Sequence, residues 1–302
     1  MSKNTKIWLI VAGCLVLAGL LLFTSVLTAN GWDFTKLSTS KYETHTYTLD
    51  ETFSAIKINT DTADVVFLPS QDSNCTVTCY EMENANHLVE VVNGALCIGI
   101  RHEKEWYEYI GIHFDSPKIT VYLPESEYDK LIINGDTSDV DVPRNFKFGI
   151  LDISVDTGDV KNFASVSKNL KIKTGTGSIR VENVSAKILD LTVSTGDTYL
   201  SNVQCDTLTA KGSTGDIVLK NVLATGQFSI QRSTGDIKFE GCDADNIIVK
   251  TNTGDVTGSL LSEKIFITKT STGKISVPQT TSGGKCEVTT TTGDIRLELR
   301  IG

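Results

Sequence analysis

A short motif recurs along the second half of the chain at an almost constant interval. Ser-Thr-Gly-Asp-Ile occurs at 213–217 and at 233–237, and Asn-Thr-Gly-Asp-Val occurs at 252–256. The aspartate position of this motif returns every 19 or 20 residues, at 139, 159, 178, 197, 216, 236, 255, 274 and 294. A fixed short period of this kind indicates one structural unit that is stacked on copies of itself.

Hydrophobic residues alternate on both sides of the motif. Before the aspartate position they stand eight and six residues away, as Leu170 and Ile172 do, and after it they stand one and three residues away, as Ile217 and Leu219 do. Alternation with a period of two is typical of strands with one buried face. The alternation changes parity across Thr-Gly-Asp. We therefore expect a corner there, where glycine provides the backbone freedom that a tight turn needs.

These corners supply the candidate site residues, for which we expect structural roles. The aspartates should accept backbone hydrogen bonds in the turn, and the threonine hydroxyls should bond to one another or to the turn backbone. Six units carry the complete corner: Thr157, Gly158, Asp159, Thr195, Gly196, Asp197, Thr214, Gly215, Asp216, Thr234, Gly235, Asp236, Thr253, Gly254, Asp255, Thr292, Gly293 and Asp294.

Two functional alternatives exist for the corners. A column of aspartates could bind cations, but one carboxylate per coil cannot supply the roughly six to eight oxygens that calcium takes. Ser178 and Lys274 also interrupt that column. A ladder of threonines could face ice or a glycan. The structural roles explain the regular spacing more simply, so we predict neither a metal site nor a cofactor.

The fold class that follows is all-β, a β-solenoid (a parallel β-helix-like stack) of 19–20-residue coils. An antiparallel meander or propeller is the alternative. Regular repeats are predicted for 131–302. The same pattern is less clear in 44–130, with strands expected at 75–80, 87–92, 95–101 and 118–123, so this part is interpreted as an N-terminal cap with irregular first coils.

The N-terminus predicts a single membrane-spanning helix. Residues 7–29 form an uncharged, apolar segment that is long enough to cross a hydrocarbon core of about 30 Å as a helix. Lys3 and Lys6 precede this segment, so we expect residues 1–6 to be a cytoplasmic tail and the bulk of the chain to be extracytoplasmic, beginning with a tether at 30–43. A cleaved signal peptide fits less well because Leu27 stands where a small residue is wanted. Cys14 ends a short sequence that looks like a lipoprotein processing site. Apolar or small residues follow it, so Cys14 is interpreted as a side chain of the membrane-spanning helix.

Composition excludes one class of partner. The formal net charge is −9, and nucleic-acid phosphates need a basic surface, so we expect no nucleic-acid binding. The spacings of the cysteines outside the apolar segment predict no disulfide framework. A metal site of Cys75, Cys79 and Cys97 would lack a matching second pair, so these residues are interpreted as small buried side chains.

No catalytic residues are predicted. The four histidines, at 45, 87, 102 and 113, lie outside the repeats, and no Ser/His/Asp or Cys/His arrangement is indicated by spacing. We therefore expect that the protein is not an enzyme. One segment, 101–110, breaks the pattern with dense charge and the aromatic residues Trp106, Tyr107 and Tyr109. These form a candidate contact patch, unless the rings cover the end of the solenoid.

Three further segments carry a resemblance to a known family. They are Phe-Ser-Ala-Ile-Lys-Ile at 53–58, Ile-Thr-Val-Tyr-Leu-Pro at 119–124 and Leu-Ile-Ile-Asn-Gly at 131–135, followed by the Thr-Gly-Asp coils. Together they resemble the bacterial "putative adhesin" family, a membrane-anchored domain of unknown function, over about residues 50–300. The resemblance implies a β-solenoid in a cell-envelope setting and no established catalytic residues.

These observations predict a single-pass protein of the bacterial cell membrane whose extracytoplasmic solenoid binds or scaffolds at the cell envelope. A cell-wall glycan or another envelope protein is the expected partner. One alternative is an accessory or sensor protein of an envelope-stress response that acts through a membrane partner. A carbohydrate-active β-helix enzyme is the third alternative. Such an enzyme would need clustered Asp, Lys or Arg on one outer face, whereas the aspartates of this chain follow the period of the corners.

Overall fold

The protein begins with one long helix. The computed structural model describes residues 2–33, 41–71, 74–83, 86–101 and 116–300. Helix α1 (Lys3–Ala29) starts four residues before the apolar segment because the Ser2 side chain caps it, accepting a hydrogen bond from the Thr5 N–H at 3.2 Å. The Asn30 N–H closes the other end by donating to carbonyls of the last turn. Of the 27 helix residues, only Leu27 is buried.

The N-terminal end of the β-structure combines parallel and antiparallel strands. It contains β1 (Tyr42–Leu49), β2 (Ala55–Thr60), β3 (Asp64–Pro69), β4 (Cys75–Met82), β5 (His87–Val92), β6 (Ala95–Ile100) and β7 (Lys118–Leu123). The four strands predicted in this region are present as β4 to β7. Strand β6 pairs with β2, and β7 pairs with β3, both in parallel. Strand β4 lies between β1 and β7 and is antiparallel to both. Strand β5 is antiparallel to β6.

The rest of the chain forms parallel coils. Their strands are β8 (Glu127–Thr137), β9 (Val140–Val142), β10 (Lys147–Thr157), β11 (Val160–Asn162), β12 (Ser165–Thr176), β13 (Ile179–Thr195), β14 (Thr198–Thr214), β15 (Ile217–Thr234), β16 (Ile237–Lys250), β17 (Val256–Leu260), β18 (Lys264–Lys269), β19 (Ile275–Ser276), β20 (Gly284–Thr289) and β21 (Ile295–Leu299). Every pairing among them is parallel. The predicted β-solenoid, of about eight turns, is confirmed, and the meander and propeller are excluded.

The core is a stack of apolar residues in register from coil to coil. Leu170, Leu189, Leu208 and Phe228 are aligned partners on four successive coils, and each is at most 1% exposed. Burying one such side chain contributes about 1.5–3 kcal/mol, so stacking supplies the burial that a single coil cannot provide for itself.

The third side of the coil also carries a ladder, with one departure from the sequence pattern. Val184, Val203, Val222 and Cys242, which recur every 19 or 20 residues, are buried there. Leu261, which the spacing places next in the series, is 38% exposed, and Leu260 is buried instead. A register shift between β16 and β17, in which Cys242 aligns with Leu260, accounts for the change.

Neither end of the solenoid follows chain order. The last coil, β20 with β21, lies between β16–β17 and β18–β19, so the coil that precedes it in sequence is the outermost one. At the other end, β2 and β3 lie between β6–β7 and β8–β9. Burial offers a reason at the C-terminal end. Cys286, Val288 and Ile295 of the inserted coil are fully buried, whereas Ile275 of the outer coil is 45% exposed.

Candidate functional site: the Thr-Gly-Asp edge

The corners of successive coils stack into one edge of the solenoid, and glycine permits the close approach. Eight corner glycines have φ between 116° and 153°: Gly158, Gly177, Gly196, Gly215, Gly235, Gly254, Gly273 and Gly293. A Cβ atom on Gly196 would lie 2.0 Å from the carbonyl oxygen of Gly177 in the neighbouring coil. Both the left-handed conformation and the close carbonyl therefore require glycine here.

The corner aspartates tie each coil to the next. The N–H of Asp159 donates to Asp139 Oδ1 at 2.7 Å, and the N–H of Asp236 donates to Asp216 Oδ1 at 2.8 Å. The same bond links Ser178, Asp216, Asp255 and Asp294 to the aspartates of their neighbouring coils. Each carboxylate thus accepts a hydrogen bond from a backbone N–H of the adjacent coil. The expected bond was to the backbone of its own turn.

The aspartate column continues to the inserted C-terminal coil. The N–H of Asp294 donates to Asp255 at 2.8 Å, and the N–H of Lys274 donates to Asp294 at 2.7 Å. Lys274 therefore stands at the outer end of the column, and the expectation that it interrupts the column was wrong. A hydrogen bond from Arg296, followed by the N–H of Lys274, lowers the pKa of Asp294 below its usual value.

Ser178 is the break within the column, and filling it should stabilise the protein. Within the described ranges, its short side chain makes no bond to the N–H of Asp197, the next corner. We expect Ser178→Asp to raise the free energy of unfolding by about 0.5–1.5 kcal/mol, the usual net contribution of one hydrogen bond. Chemical denaturation of the full chain measures this change. Lys274→Asp is the matched control and should not raise stability, because no coil of the described residues lies beyond it to supply a backbone donor and because it loses the attraction between Lys274 and Asp294. Equal effects of the two substitutions would contradict the coil-linking role.

The threonines of the corners form an exposed row, which we call the threonine edge. All nine are exposed: Thr137, Thr157, Thr176, Thr195, Thr214, Thr234, Thr253, Thr272 and Thr292. Their backbones pair from coil to coil, as Thr195 does with Thr176 and Thr214. Throughout the described ranges, none of these nine hydroxyls makes a hydrogen bond to protein. This differs from the expectation that they bond inside the corner, because the side chains point away from it.

Other residues bind the corner carbonyls from the inside. The Thr174 hydroxyl donates to Gly158 O at 3.0 Å, and the Thr290 hydroxyl donates to Gly254 O at 3.2 Å. The guanidinium of Arg232, only 2% exposed, donates to Gly196 O at 3.1 Å. This role was not predicted from the sequence. Its signal was a polar residue at an inward-facing position four residues before the corner aspartate.

A second ladder, of asparagines, closes another corner of the coil. Asn183, Asn202 and Asn221 have φ between 51° and 56°, a left-handed conformation that asparagine tolerates. The Asn202 amide donates to Asn183 Oδ1, and the Asn221 amide donates to Asn202 Oδ1, both at 3.0 Å. The recurrence of asparagine five residues after the corner position was the available sequence signal.

The cap brings together residues that are distant in sequence. Glu81 is buried between two histidines, with His87 Nδ1 at 2.6 Å and His45 Nδ1 at 3.0 Å from its carboxylate oxygens. Spacing could not indicate this group because three different strands contribute to it. Burial, together with the charge of Glu81, raises the pKa of the nearby Cys79 thiol to about 12. The candidate contact patch of Trp106, Tyr107 and Tyr109 lies outside the described residues.

Together, the apolar helix, the parallel coils and the stacked corners define a β-solenoid protein with one N-terminal apolar helix. The Toastrack DUF4097 family model matches residues 53–298, and the chain belongs to this family. No curated protein shows significant similarity to the chain.

Three of the solved structures that match come from Bacteroides and Parabacteroides. A "putative adhesin" from Bacteroides fragilis NCTC 9343 is 17% identical, with a TM-score of 0.49 over 85% of this chain and 97% of that chain. A "putative adhesin" from Parabacteroides distasonis ATCC 8503 is 17% identical, with a TM-score of 0.39 over 84% and 98%. A "putative lipid binding protein" from the same organism is 14% identical, with a TM-score of 0.39 over 86% and 98%.

Proposed function

We propose that this protein is a non-catalytic, membrane-anchored binding protein of the bacterial cell envelope, and that its threonine edge contacts a neutral cell-wall glycan. The observation that carries the proposal is the row of nine exposed threonine hydroxyls, which have no hydrogen-bond partner among the described residues. Polar groups held at a fixed spacing on a rigid scaffold lose little conformational freedom when they bind, which favours a regular polymer as the ligand.

The helix supports the membrane part of the proposal. Its 27 residues include large apolar side chains such as Leu15, Leu21 and Leu22, each of which is well over half exposed. An apolar surface of this size is stable in lipid and unfavourable in water. Lys3 and Lys6 at its start favour a cytoplasmic N-terminus, which would place the solenoid outside the cytoplasm.

The charge of the edge favours a neutral ligand over an anionic one. Most corners have an aspartate two residues after the threonine, and the chain as a whole carries a net charge of −9. An anionic polymer would be repelled by this edge. Hydroxyl and amide groups of a neutral glycan can instead both donate to and accept from threonine hydroxyls.

Co-sedimentation tests the proposal. The full chain in detergent micelles is mixed with insoluble peptidoglycan from which anionic polymers have been removed, and the bound fraction is measured. Wild-type protein should sediment with the glycan. The triple variant Thr195→Ala, Thr214→Ala and Thr234→Ala should bind at least about tenfold more weakly, because each lost hydrogen bond contributes about 0.5–1.5 kcal/mol.

A matched triple variant controls for the loss of threonine itself. Thr44, Thr46 and Thr48 lie on strand β1, far along the chain from the corners, and share one face of that strand. Their replacement by alanine should leave sedimentation unchanged, and both triple variants should keep the wild-type melting temperature within about 2 °C, as expected for surface substitutions. No sedimentation of the wild-type chain, or equal loss in both variants, would exclude the threonine edge as the contact.

A further inference from the structure

The N-terminal cap contains a group of metal-ligand side chains that the threonine edge does not involve. Cys79 Sγ, a Glu81 carboxylate oxygen and a His87 ring nitrogen all lie within 4.8 Å of one another. All three residues are buried. Cys79 and Glu81 are two residues apart on β4, so both side chains point to the same face of the strand.

A fourth ligand-type residue lies beside Glu81 on the neighbouring strand, next to the group that meets the 4.8 Å distance. His45 on β1 is the aligned partner of Cys79 on β4, so their side chains share one face of the sheet. Its Nδ1 atom lies 3.0 Å from Glu81 Oε1. We call Cys79, Glu81, His87 and His45 the cap cluster.

Hydrogen bonds outside the cluster orient His87. Its Nε2 atom lies 3.2 Å from the hydroxyl of Thr60, and its backbone carbonyl accepts a hydrogen bond from the Tyr47 hydroxyl at 3.2 Å. A partner on the second ring nitrogen is the usual arrangement for a histidine that binds metal through the first. Nδ1, which faces Glu81 at 2.6 Å, is therefore the nitrogen positioned to bind.

We propose that the cap cluster is a Zn²⁺ site, in which Cys79 Sγ, a Glu81 oxygen and His87 Nδ1 bind the ion and His45 Nδ1 moves in as the fourth ligand. Sulfur, imidazole nitrogen and carboxylate oxygen in a four-ligand set are the donors that zinc takes in proteins. One thiolate and one carboxylate neutralise the two positive charges of the ion. The buried site then carries no net charge, which removes the main cost of placing an ion inside a protein.

Proton movements follow from the ligand set. The Cys79 thiol loses its proton to solvent when its sulfur binds the ion. The protons that lie between Glu81 and the Nδ1 atoms of His87 and His45 must leave those positions. Each ring can carry its proton on Nε2, which faces Thr60 in His87 and Glu43 in His45. A cleft lined by Thr60, Glu81, His87 and Pro117 reaches the cluster and provides an entry path.

Metal titration of the full chain in detergent micelles, after removal of bound metal by a chelator, tests the site. Zn²⁺ should bind with one ion per chain in competition with a chromophoric chelator. At a hundredfold excess over Kd it should raise the melting temperature by about 5 °C or more. Co²⁺ in place of Zn²⁺ should give the charge-transfer absorption of a thiolate ligand. If Zn²⁺ leaves the melting temperature unchanged, or if Co²⁺ gives no thiolate absorption, the proposal is wrong.

Two cysteines of the same strand provide a matched pair of variants. Cys75 and Cys79 are both buried on β4, but only Cys79 lies beside Glu81 and His87. Cys79→Ser should weaken Zn²⁺ binding at least about tenfold and abolish the Co²⁺ thiolate absorption, whereas Cys75→Ser should change neither. Equal binding by the two variants would overturn the assignment. If Cys79→Ser fails to fold, the Co²⁺ spectrum of the wild-type chain still decides whether a thiolate binds the metal.

Discussion

Gly212→Ala is expected to lower the free energy of unfolding by about 3–5 kcal/mol, the range for overpacking combined with disruption of a buried charged group. Gly212 lies on the inward side of β14, beside the guanidinium of Arg232 from the next coil. An alanine Cβ would lie 1.7 Å from Arg232 Nη1 and 2.0 Å from Val193 O. The substitution therefore forces either the guanidinium or the backbone of two coils to move.

Arg232 has little room to respond because it is held across two coils. Nη1 donates to Val193 O at 2.9 Å, and Nη2 donates to Gly196 O at 3.1 Å and to Asp216 O at 3.3 Å. Burial lowers the pKa of Arg232, and the charges of Asp197 and Asp216 oppose that shift. A displaced guanidinium would remain in the core without its carbonyl acceptors, which is the costly outcome for a buried charge.

Thermal unfolding of the full chain measures this effect. Gly212→Ala should lower the melting temperature by about 6–12 °C. Gly99→Ala is the matched control, because an alanine Cβ at Gly99 in strand β6 would have no atom of the described residues within 4 Å, and it should be neutral or slightly stabilising. In an Arg232→Ala background, Gly212→Ala should cost less, since the contact with the guanidinium is gone. Equal costs in the two backgrounds would show that the two residues are not coupled.

Gly196→Ala should lower the free energy of unfolding by about 2–4 kcal/mol, through backbone strain and a clash between coils. Gly196 has a φ of 135°, which alanine rarely adopts. A Cβ atom there would also lie 2.0 Å from Gly177 O, so the corner must open to admit a methyl group. Opening it would also weaken the hydrogen bond from the Gly196 N–H to Thr214 O, now 2.9 Å long.

Denaturation of a neighbouring variant controls for the Gly196 effect. Ser194 is exposed two residues earlier in the same corner, and Ser194→Ala should change stability by less than about 0.5 kcal/mol. If Gly196→Ala proved as mild as Ser194→Ala, the corners would be more adaptable than their close packing indicates. A rigid corner also matters for the proposed function, because it holds the threonine hydroxyls at a constant spacing.

The repeats allowed the fold to be predicted from the sequence. Alternation around Leu170 and Ile217 identified strands with one buried face, and the change of parity across Thr-Gly-Asp located the corner. The corner glycines followed from the same reasoning, since a turn of this kind needs glycine. These features depend on residues close together in the chain, where the pattern of side chains and the backbone geometry are directly related.

The candidate sites could be predicted from the repeats only in part. Periodicity located the corner threonines but not the direction of their side chains, which point to solvent instead of bonding within the corner. Asn202 and Thr174 also occupy fixed positions in the repeat, yet their roles depend on which groups the neighbouring coil presents. The pair Gly212 and Arg232 shows the limit most clearly, because a small residue on one coil makes room for a long side chain from the next.

The period of the coil, the two strand faces, the glycine corner and the apolar N-terminal helix could be predicted from the sequence, because each depends on local pattern and backbone conformation. The order of the coils at both ends and the contact of His45, Glu81 and His87 in the cap depend on packing between distant segments of the chain. Parallel coils of similar sequence can pair with more than one neighbour, and the arrangement that buries the most apolar surface prevails. The position of Lys274 at the outer end of the aspartate column is a direct result of that choice.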